Sequence, residues 1–407
     1  MTRFLLYSHD TYGLGHLRRS MLLAEAVAQV DPDNEVLIAT GSPQAQAFSL
    51  PERVDSLKLP SATKDRAGAY QPRKLGGSIH KLVSLRSAVV MAAVATYDPD
   101  VIVVDHAPLG MAGELTPVLE RYAGRVGGPR LVLGLRDIID DADQVDADWE
   151  RSGIWRWLDR YDDIFVYGDP RIVTTASELD LGSRAGANVT HTGYVAPVMP
   201  EPLTDVEPFM LVTPGGGGDG QAMLRCYLDA VEAGATAGMR SLVVTGPLMS
   251  SARRDELLTR AQRSPSIDII EFSDQMRTLL ASASGVISMA GYNTVVEELA
   301  AAVPAMLVPR CEPRLEQDIR ARRIAPHTQL QHCPIERLDV DTIDRFAAQV
   351  SSAAEPLLPG LTVDLGGAAT AADLLDQPRV TTPTFPPFSH ECEQCHDPRF
   401  PDPLLHV

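Results

Sequence analysis

Cysteine is scarce: five in 407 residues, three of them isolated from the others. That excludes a disulfide framework and leads to the expectation of a reducing, cytoplasmic setting. Basic residues are also short, with 36 Lys and Arg against 54 Asp and Glu and a formal net charge of −18. Nucleic-acid-binding chains usually carry the opposite sign, so nucleic acid is discounted as a partner. No uninterrupted apolar run approaches the ~18–20 residues of a membrane span. The apolar stretch after Met1 is too short for a signal peptide. What is present is ordinary: 44% hydrophobic and 22% charged residues place the chain among globular proteins, not disordered or collagen-like ones. A single core stops growing at roughly 250–300 residues, so two domains are expected.

The pattern along the chain is strand, loop, helix, repeated. Buried-type strands are expected at Arg3–Ser8, Val36–Thr40, Val101–Val104, Arg130–Leu135 and Ile164–Tyr167. Helical stretches are expected from His16 to about Val30, and at Ser78–Thr96, Met111–Ala123, Trp149–Arg160 and Pro170–Leu181. Such alternation indicates an α/β fold with parallel sheets. Residues 196–208 hold four prolines and read as a linker. The pattern then restarts. FLLYSHDTYGLGHLRRS at the start and FMLVTPGGGGDGQAMLR about 205 residues later are both strand, Gly-rich turn, helix. Further strands are expected at Ser241–Thr245, Ile267–Ile270, Gly285–Ser288 and Ala305–Val308. The division is therefore 1–195, a linker at 196–208, a second unit at 209–377, and a Pro-rich tail at 378–407 with little regular structure.

Three features of the second unit carry chemistry. The run Gly215-Gly216-Gly217-Gly218 lies between a strand and a helix, where backbone N–H groups can approach a phosphate closely. A tight turn with surplus glycine is the plainer alternative. Gly291-Tyr292-Asn293-Thr294…Glu297 follows a strand and opens a helix at the sheet edge where α/β proteins bind ligands. A carboxylate one turn in, Glu297, suits ribose hydroxyls, although Glu297 and Glu298 also simply favour a helix N-terminus. Glu316-Gln317 pairs a carboxylate with an amide, suited to sugar hydroxyls.

Together these residues resemble a family. EFSDQMRTLLASASGVISMAGYNTVVEELAAAVPAMLVPR is similar to the donor-binding half of GT-B glycosyltransferases. The likeness is to MurG-type N-acetylglucosaminyltransferases of peptidoglycan synthesis and to natural-product UDP-glycosyltransferases. It covers roughly Phe209–Arg323. In the first half it rests on Gly13-x-Gly15-His16. GLGHLRRS, VDHAPLG and LGLRDIID also resemble hallmarks of a bacterial group of predicted glycosyltransferases. The resemblance implies two Rossmann-like, doubly wound domains facing a cleft. It implies Gly215, Gly216, Gly217, Gly218 and the helix at Gly291 as the diphosphate site, joined by Asn293 and Thr294. It further implies Glu297 at the ribose, Phe272, Ser273 and Met276 around the base, and Glu316 and Gln317 at the donor sugar. Two polar contacts of the family are missing. Met289 stands where a phosphate-binding His or Arg is found, and glycine replaces the serine of the MurG-type loop.

On the acceptor side, His16 follows Gly15 at the mouth of the first strand and is the candidate general base. It could instead bond only its own loop. Asp105 could orient it, or His106 could be the base; Glu114 is a further candidate. Asp137 and Asp140 could bind acceptor hydroxyls or cap a helix. Residues 61–90 carry Lys64, Arg66, Arg73, Lys74, Lys81 and Arg86 against one acid, Asp65. That local reversal suits a peripheral contact with the inner membrane face and a lipid-linked acceptor, or a solvated loop face. Cys392-x-x-Cys395-His396 formally matches haem attachment or, with His390, a weak zinc site; an ordinary reduced tail is the expectation. The expected reaction moves a hexosyl group from a nucleotide-diphosphate sugar, UDP-sugar first, to an acceptor hydroxyl. No metal and no cofactor are expected, because helix N-termini supply the positive field. A hydrolysing nucleotide-sugar epimerase and a non-catalytic nucleotide-sugar-binding protein are the alternatives.

Overall fold

The computed structural model describes residues 1–9, 15–45, 48–64, 69–236, 238–352 and 362–378. Gly13, Asp65, Arg66 and the Cys392/Cys395/His396 tail lie outside the described residues.

Among the described residues nine strands precede the linker: β1 (Arg3–Ser8), β2 (Glu35–Thr40), β3 (Val54–Lys58), β4 (Ala62–Lys64), β5 (Tyr70–Pro72), β6 (Val101–Asp105), β7 (Arg130–Arg136), β8 (Asp163–Tyr167) and β9 (Asn188–His191). Seven form a parallel sheet in the order β3-β2-β1-β6-β7-β8-β9, and β4 and β5 pair as a small antiparallel hairpin. Six follow the linker: β10 (Phe209–Thr213), β11 (Arg240–Val244), β12 (Ile267–Ile270), β13 (Gly285–Ser288), β14 (Ala305–Leu307) and β15 (Leu330–His332). They form a second parallel sheet, β12-β11-β10-β13-β14-β15. Both sheets are doubly wound. The chain steps outward from the first strand, then returns to its other side. The direction reverses between β1 and β6 and again between β10 and β13. Loops leaving the carboxyl ends of those strands diverge and leave a crevice, which is where ligands bind in such sheets.

The central strands are apolar on both faces because helices cover both faces. Leu5, Leu6, Val103, Leu133, Leu211 and Ile287 are all essentially out of contact with water. Each such side chain stabilises the fold by ~1.5–3 kcal/mol relative to exposure. The strands without a strong sequence signal are at or near sheet edges. β3 reads Val-Asp-Ser-Leu-Lys and exposes its polar positions, β9 is Asn-Val-Thr-His, and β15 is only three residues long.

Three helix expectations are corrected. Met111–Ala123 is a 3-10 turn, Met111–Gly113, followed by a separate helix, Thr116–Tyr122. Gly110 and Gly113, both at positive φ, break the pattern. The stretch expected at Trp149–Arg160 starts earlier, as Ala142–Ser152. Asp141 caps it by accepting the Gln144 N–H, and Gly153 ends it in the left-handed region. Pro170–Leu181 resolves into two single turns, Thr175–Glu178 and Leu181–Arg184.

Residues 61–90 contain the β4–β5 hairpin and most of a 19-residue helix, Ile79–Tyr97. That helix is long and apolar enough to cross a membrane, which uninterrupted-run counting missed because Lys81 and Arg86 punctuate it. It lays one stripe, Leu82, Arg86, Val90 and Val94, into the protein interior. Leu85 on its outer side and nearby Leu75 are exposed.

The last described helix, Gly367–Asp376, lies against the helix Gly15–Val30 of the first half. Asn34 donates to the Asp376 carboxylate, and Arg130 donates to the Leu374 carbonyl. A division after residue 208 therefore leaves this helix on the second segment while its packing partners belong to the first.

Candidate functional site

The reversal point of the first sheet gathers three imidazoles. His9 follows β1, His16 opens the next helix, and His106 follows β6. Their ring centroids are 5.4–6.4 Å apart. The His16 Nδ1–H donates to the Asp105 carboxylate at 2.5 Å. Arg19, one turn along the same helix, grips Asp105 through Nε and Nη2 at 2.6–2.9 Å. Its Nη2 also lies 3.1 Å from His16 Nδ1, but that nitrogen's proton is directed at Asp105. In the neutral tautomer that donates from Nδ1, the lone pair lies on Nε2. Burial alone would raise the Asp105 pKa, but Arg19 and His16 together hold it down to about 2, so it stays ionised beside the ring. His16 keeps 22% of its side-chain surface exposed, whereas Asp105 is buried.

His9 and His106 differ from His16. Burial first, and then neighbouring cations, push both well below the usual imidazole range, so both are neutral. His106 Nε2 lies 3.2 Å from Arg136 Nη2 and accepts from it, while its Nδ1 is buried without a partner. His9 pairs with the Tyr70 hydroxyl at 3.2 Å. The acceptor nitrogen of His106 is thus already engaged by a guanidinium, which leaves His16 the better placed of the two expected bases.

The second reversal point holds the glycine loop. A side chain at Gly217 would lie 2.2 Å from the Thr245 carbonyl oxygen, and at Gly220 2.4 Å from Pro214 and 2.9 Å from the Met289 sulfur. Close packing and positive φ therefore demand glycine at both positions. The loop sits beside the helix Tyr292–Ala300, with Gly215 facing the Thr294 hydroxyl. That helix starts at Gly291 with no side-chain cap, so its first N–H groups have no capping side chain.

Contacts across the cleft are many. Glu297 is buried and takes an ion pair from Arg18 of the first half. Burial raises its pKa, opposed by Arg18 and Arg277. Its neighbour Glu298 is fully buried, and burial pushes it up to about 8. Asn293 donates to the Gly15 carbonyl at 3.0 Å, and the Tyr292 hydroxyl accepts the Val195 N–H. Arg320, fully buried, holds both oxygens of Asp137 at 2.7 Å and also donates to the Ala290 carbonyl. Asp140 accepts the Leu315 N–H. Between the two sheets remains a cavity of about 210 Å³. Gly15, His16, Arg18, Arg19 and Arg136 line it from one side, and Gly291, Tyr292, Asn293 and Thr294 from the other.

The structure thus brings His16, Asp105 and His106 together and sets the Gly291 helix start opposite them. Two expected acceptor-side residues are reassigned. Glu114 is fully buried, with Arg86 and the Tyr7 hydroxyl on its oxygens, so it is not positioned as a base. Asp137 is fully buried, with both of its oxygens on Arg320, and does not cap a helix. Glu316 and Gln317 meet at Arg310. Glu316 takes its guanidinium at 2.6 Å, and Gln317 accepts its backbone N–H. The second Glu316 oxygen is buried and unpartnered. Phe272 is exposed, and Ser273 accepts the Gln275 N–H just before Met276 starts a helix.

Sequence reasoning passed over His9, Arg18, Arg19, Arg136 and Arg320. The signal was spacing: Arg18 and Arg19 lie two and three residues after His16, and Arg136 directly precedes Asp137.

Two Rossmann sheets with their reversal points facing across one cleft define the GT-B fold, and the chain is similar to GT-B glycosyltransferases of the MurG and UDP-glycosyltransferase type. Residues 215–338 match the model of the glycosyltransferase family 28 C-terminal domain. A relative in Leuconostoc mesenteroides subsp. mesenteroides is the UDP-N-acetylglucosamine–N-acetylmuramyl-(pentapeptide) pyrophosphoryl-undecaprenol N-acetylglucosamine transferase. It is 24% identical over 316 residues, spanning 72% of this chain and 76% of the relative. Among solved structures, the kitacinnamycin glycotransferase superposes with a TM-score of 0.60 at 16% identity, covering 92% of this chain and 98% of the other. UGT71G1 of Medicago truncatula complexed with UDP-glucose gives 0.60 at 10% identity, covering 92% and 98%.

Proposed function

We propose that the chain transfers a hexosyl group from a UDP-sugar to an acceptor hydroxyl, without a metal. The reading rests on one observation: a histidine oriented by an ionised aspartate faces an uncapped helix N-terminus across the same cavity. The acceptor oxygen attacks the anomeric carbon, and His16 Nε2 takes its proton. The bond to the diphosphate breaks, and its electron pair leaves on the phosphate oxygen. The N–H groups at Gly291–Thr294 and the Gly215–Gly218 loop receive that charge. In this reading residues 1–195 form the acceptor-side unit and 209–377 the donor unit. Phe272, Ser273 and Met276 border the base, and the free oxygen of Glu316 meets the sugar.

A lipid-linked acceptor is supported by the relative, whose name specifies a pyrophosphoryl-undecaprenol substrate. Exposed Leu75 and Leu85 beside Arg73, Lys74 and Lys81 suit a peripheral contact with an anionic membrane surface. Labelled UDP-sugars incubated with the protein and a membrane lipid extract, with and without EDTA, test the reading. Label in an organic-extractable product, undiminished by EDTA, is the expected result. Free epimerised sugar supports the epimerase instead, and binding with no product supports a sensor. Loss of transfer in EDTA that Mg²⁺ restores removes the metal-free mechanism.

The ribose assignment has its own check. Glu297→Ala is expected to weaken UDP binding by about 1.5–3 kcal/mol, the range for hydrogen bonds to a charged group. Titration calorimetry on the folded variant measures it, and an unchanged dissociation constant rejects Glu297 as the ribose ligand.

A further inference from the structure

Among the described residues, the cavity is lined by one cation without an ion-pair partner. Arg19 is neutralised by Asp105, Arg320 by Asp137 and Arg18 by Glu297. Arg136 lines the same cavity, yet no carboxylate among the described residues lies within ion-pair distance of it. Its one hydrogen-bond contact is with a neutral imidazole, His106, and its Nε is buried with no partner. A buried, unpaired guanidinium N–H is costly unless something accepts from it. Burial first, with Arg320 and Arg19 nearby and against the opposing pull of Glu316 and Asp137, holds its pKa down to about 10, so it remains charged at neutral pH.

Arg136 is the last residue of β7, so the sheet fixes its backbone, and it faces the cavity wall made by Gly291, Asn293 and Thr294. An anion held by that helix start would lie between two positive ends, one from each half of the molecule. Met289, where the resembling enzymes carry a basic residue, is buried against Gly220 and offers no charge. We propose that Arg136 supplies the missing cation from the opposite sheet, donating to the donor diphosphate and stabilising it as it leaves. This inference rests on the UDP-sugar reading above. It also makes the diphosphate site a property of both halves: neither sheet alone holds the complete set of donors.

The test compares a charged and an uncharged ligand that share the base and ribose. UDP affinity is measured by titration calorimetry and uridine affinity by saturation-transfer NMR, on the full chain and on Arg136→Gln and Arg136→Lys. The expected result is a 10–100-fold loss of UDP affinity in Arg136→Gln, partial recovery in Arg136→Lys, and unchanged uridine affinity in both. Equal losses for the two ligands would mean that Arg136 only shapes the cleft, and unchanged UDP affinity would mean that it does not reach the phosphates; either overturns the proposal. If the unsubstituted chain binds uridine and UDP equally, no phosphate site exists. If it binds neither, the UDP-sugar reading itself falls.

Discussion

His16→Ala is expected to lower turnover by about 10²–10⁴-fold, the usual contribution of a general base. On the barrier this is about 2.7–5.5 kcal/mol. UDP affinity should stay essentially unchanged, because in the proposed reading the imidazole meets the acceptor hydroxyl and not the nucleotide. The Nδ1 of the imidazole is bonded to Asp105, which remains ionised, so in the neutral ring the base is Nε2. His106→Ala is the control: its Nε2 already accepts from Arg136, so its loss should cost less. Asp105→Asn is the harsher variant, since it also strips the buried Arg19 of its counter-charge. Steady-state kinetics with saturating donor decide the matter. Near-normal turnover in His16→Ala with collapse in His106→Ala would move the base to the end of β6.

Arg320→Met is expected to destabilise the protein by about 3–5 kcal/mol, the cost of leaving one partner of a buried ion pair alone. Asp137 and Arg320 are both out of water, and each guanidinium–carboxylate contact is 2.7 Å. The pair joins the end of β7 to the helix Glu316–Ile324, so its loss weakens the contact between halves as well as the local core. Arg320→Met combined with Asp137→Leu should lose less than either single change, because no buried charge is then stranded. Urea unfolding of the four proteins measures this. A single variant within about 1 kcal/mol of the parent would show that the pair carries no such weight.

The sheets were readable because their strands are buried on both faces and need no partner pattern to reveal them. Phe4, Leu5 and Leu6 can only belong inside. β3 and β9 were not readable, since edge strands tolerate Asp, Ser, Asn and Lys. The glycine loop was partly legible: glycine at positions 217 and 220 is forced by close contacts and positive φ, and such constraints survive in sequence. The basic segment misled in part, because a charge pattern does not say which residues turn inward. Arg86 is wholly buried on Glu114. The cross-cleft pairs were invisible. Nothing in Asp137 or Arg320 alone announces a partner 183 residues away.

The helix Gly367–Asp376 has a mechanical consequence. Because it packs beside Gly15–Val30, the chain passes between the two halves twice, once through residues 196–208 and once on its way back. Two bodies tied by a single tether can swivel freely. Tied at two places, they have fewer ways to move relative to one another. The helix that anchors the return also carries His16 at its other end. The contact that ties the halves together and the imidazole therefore belong to one rigid element.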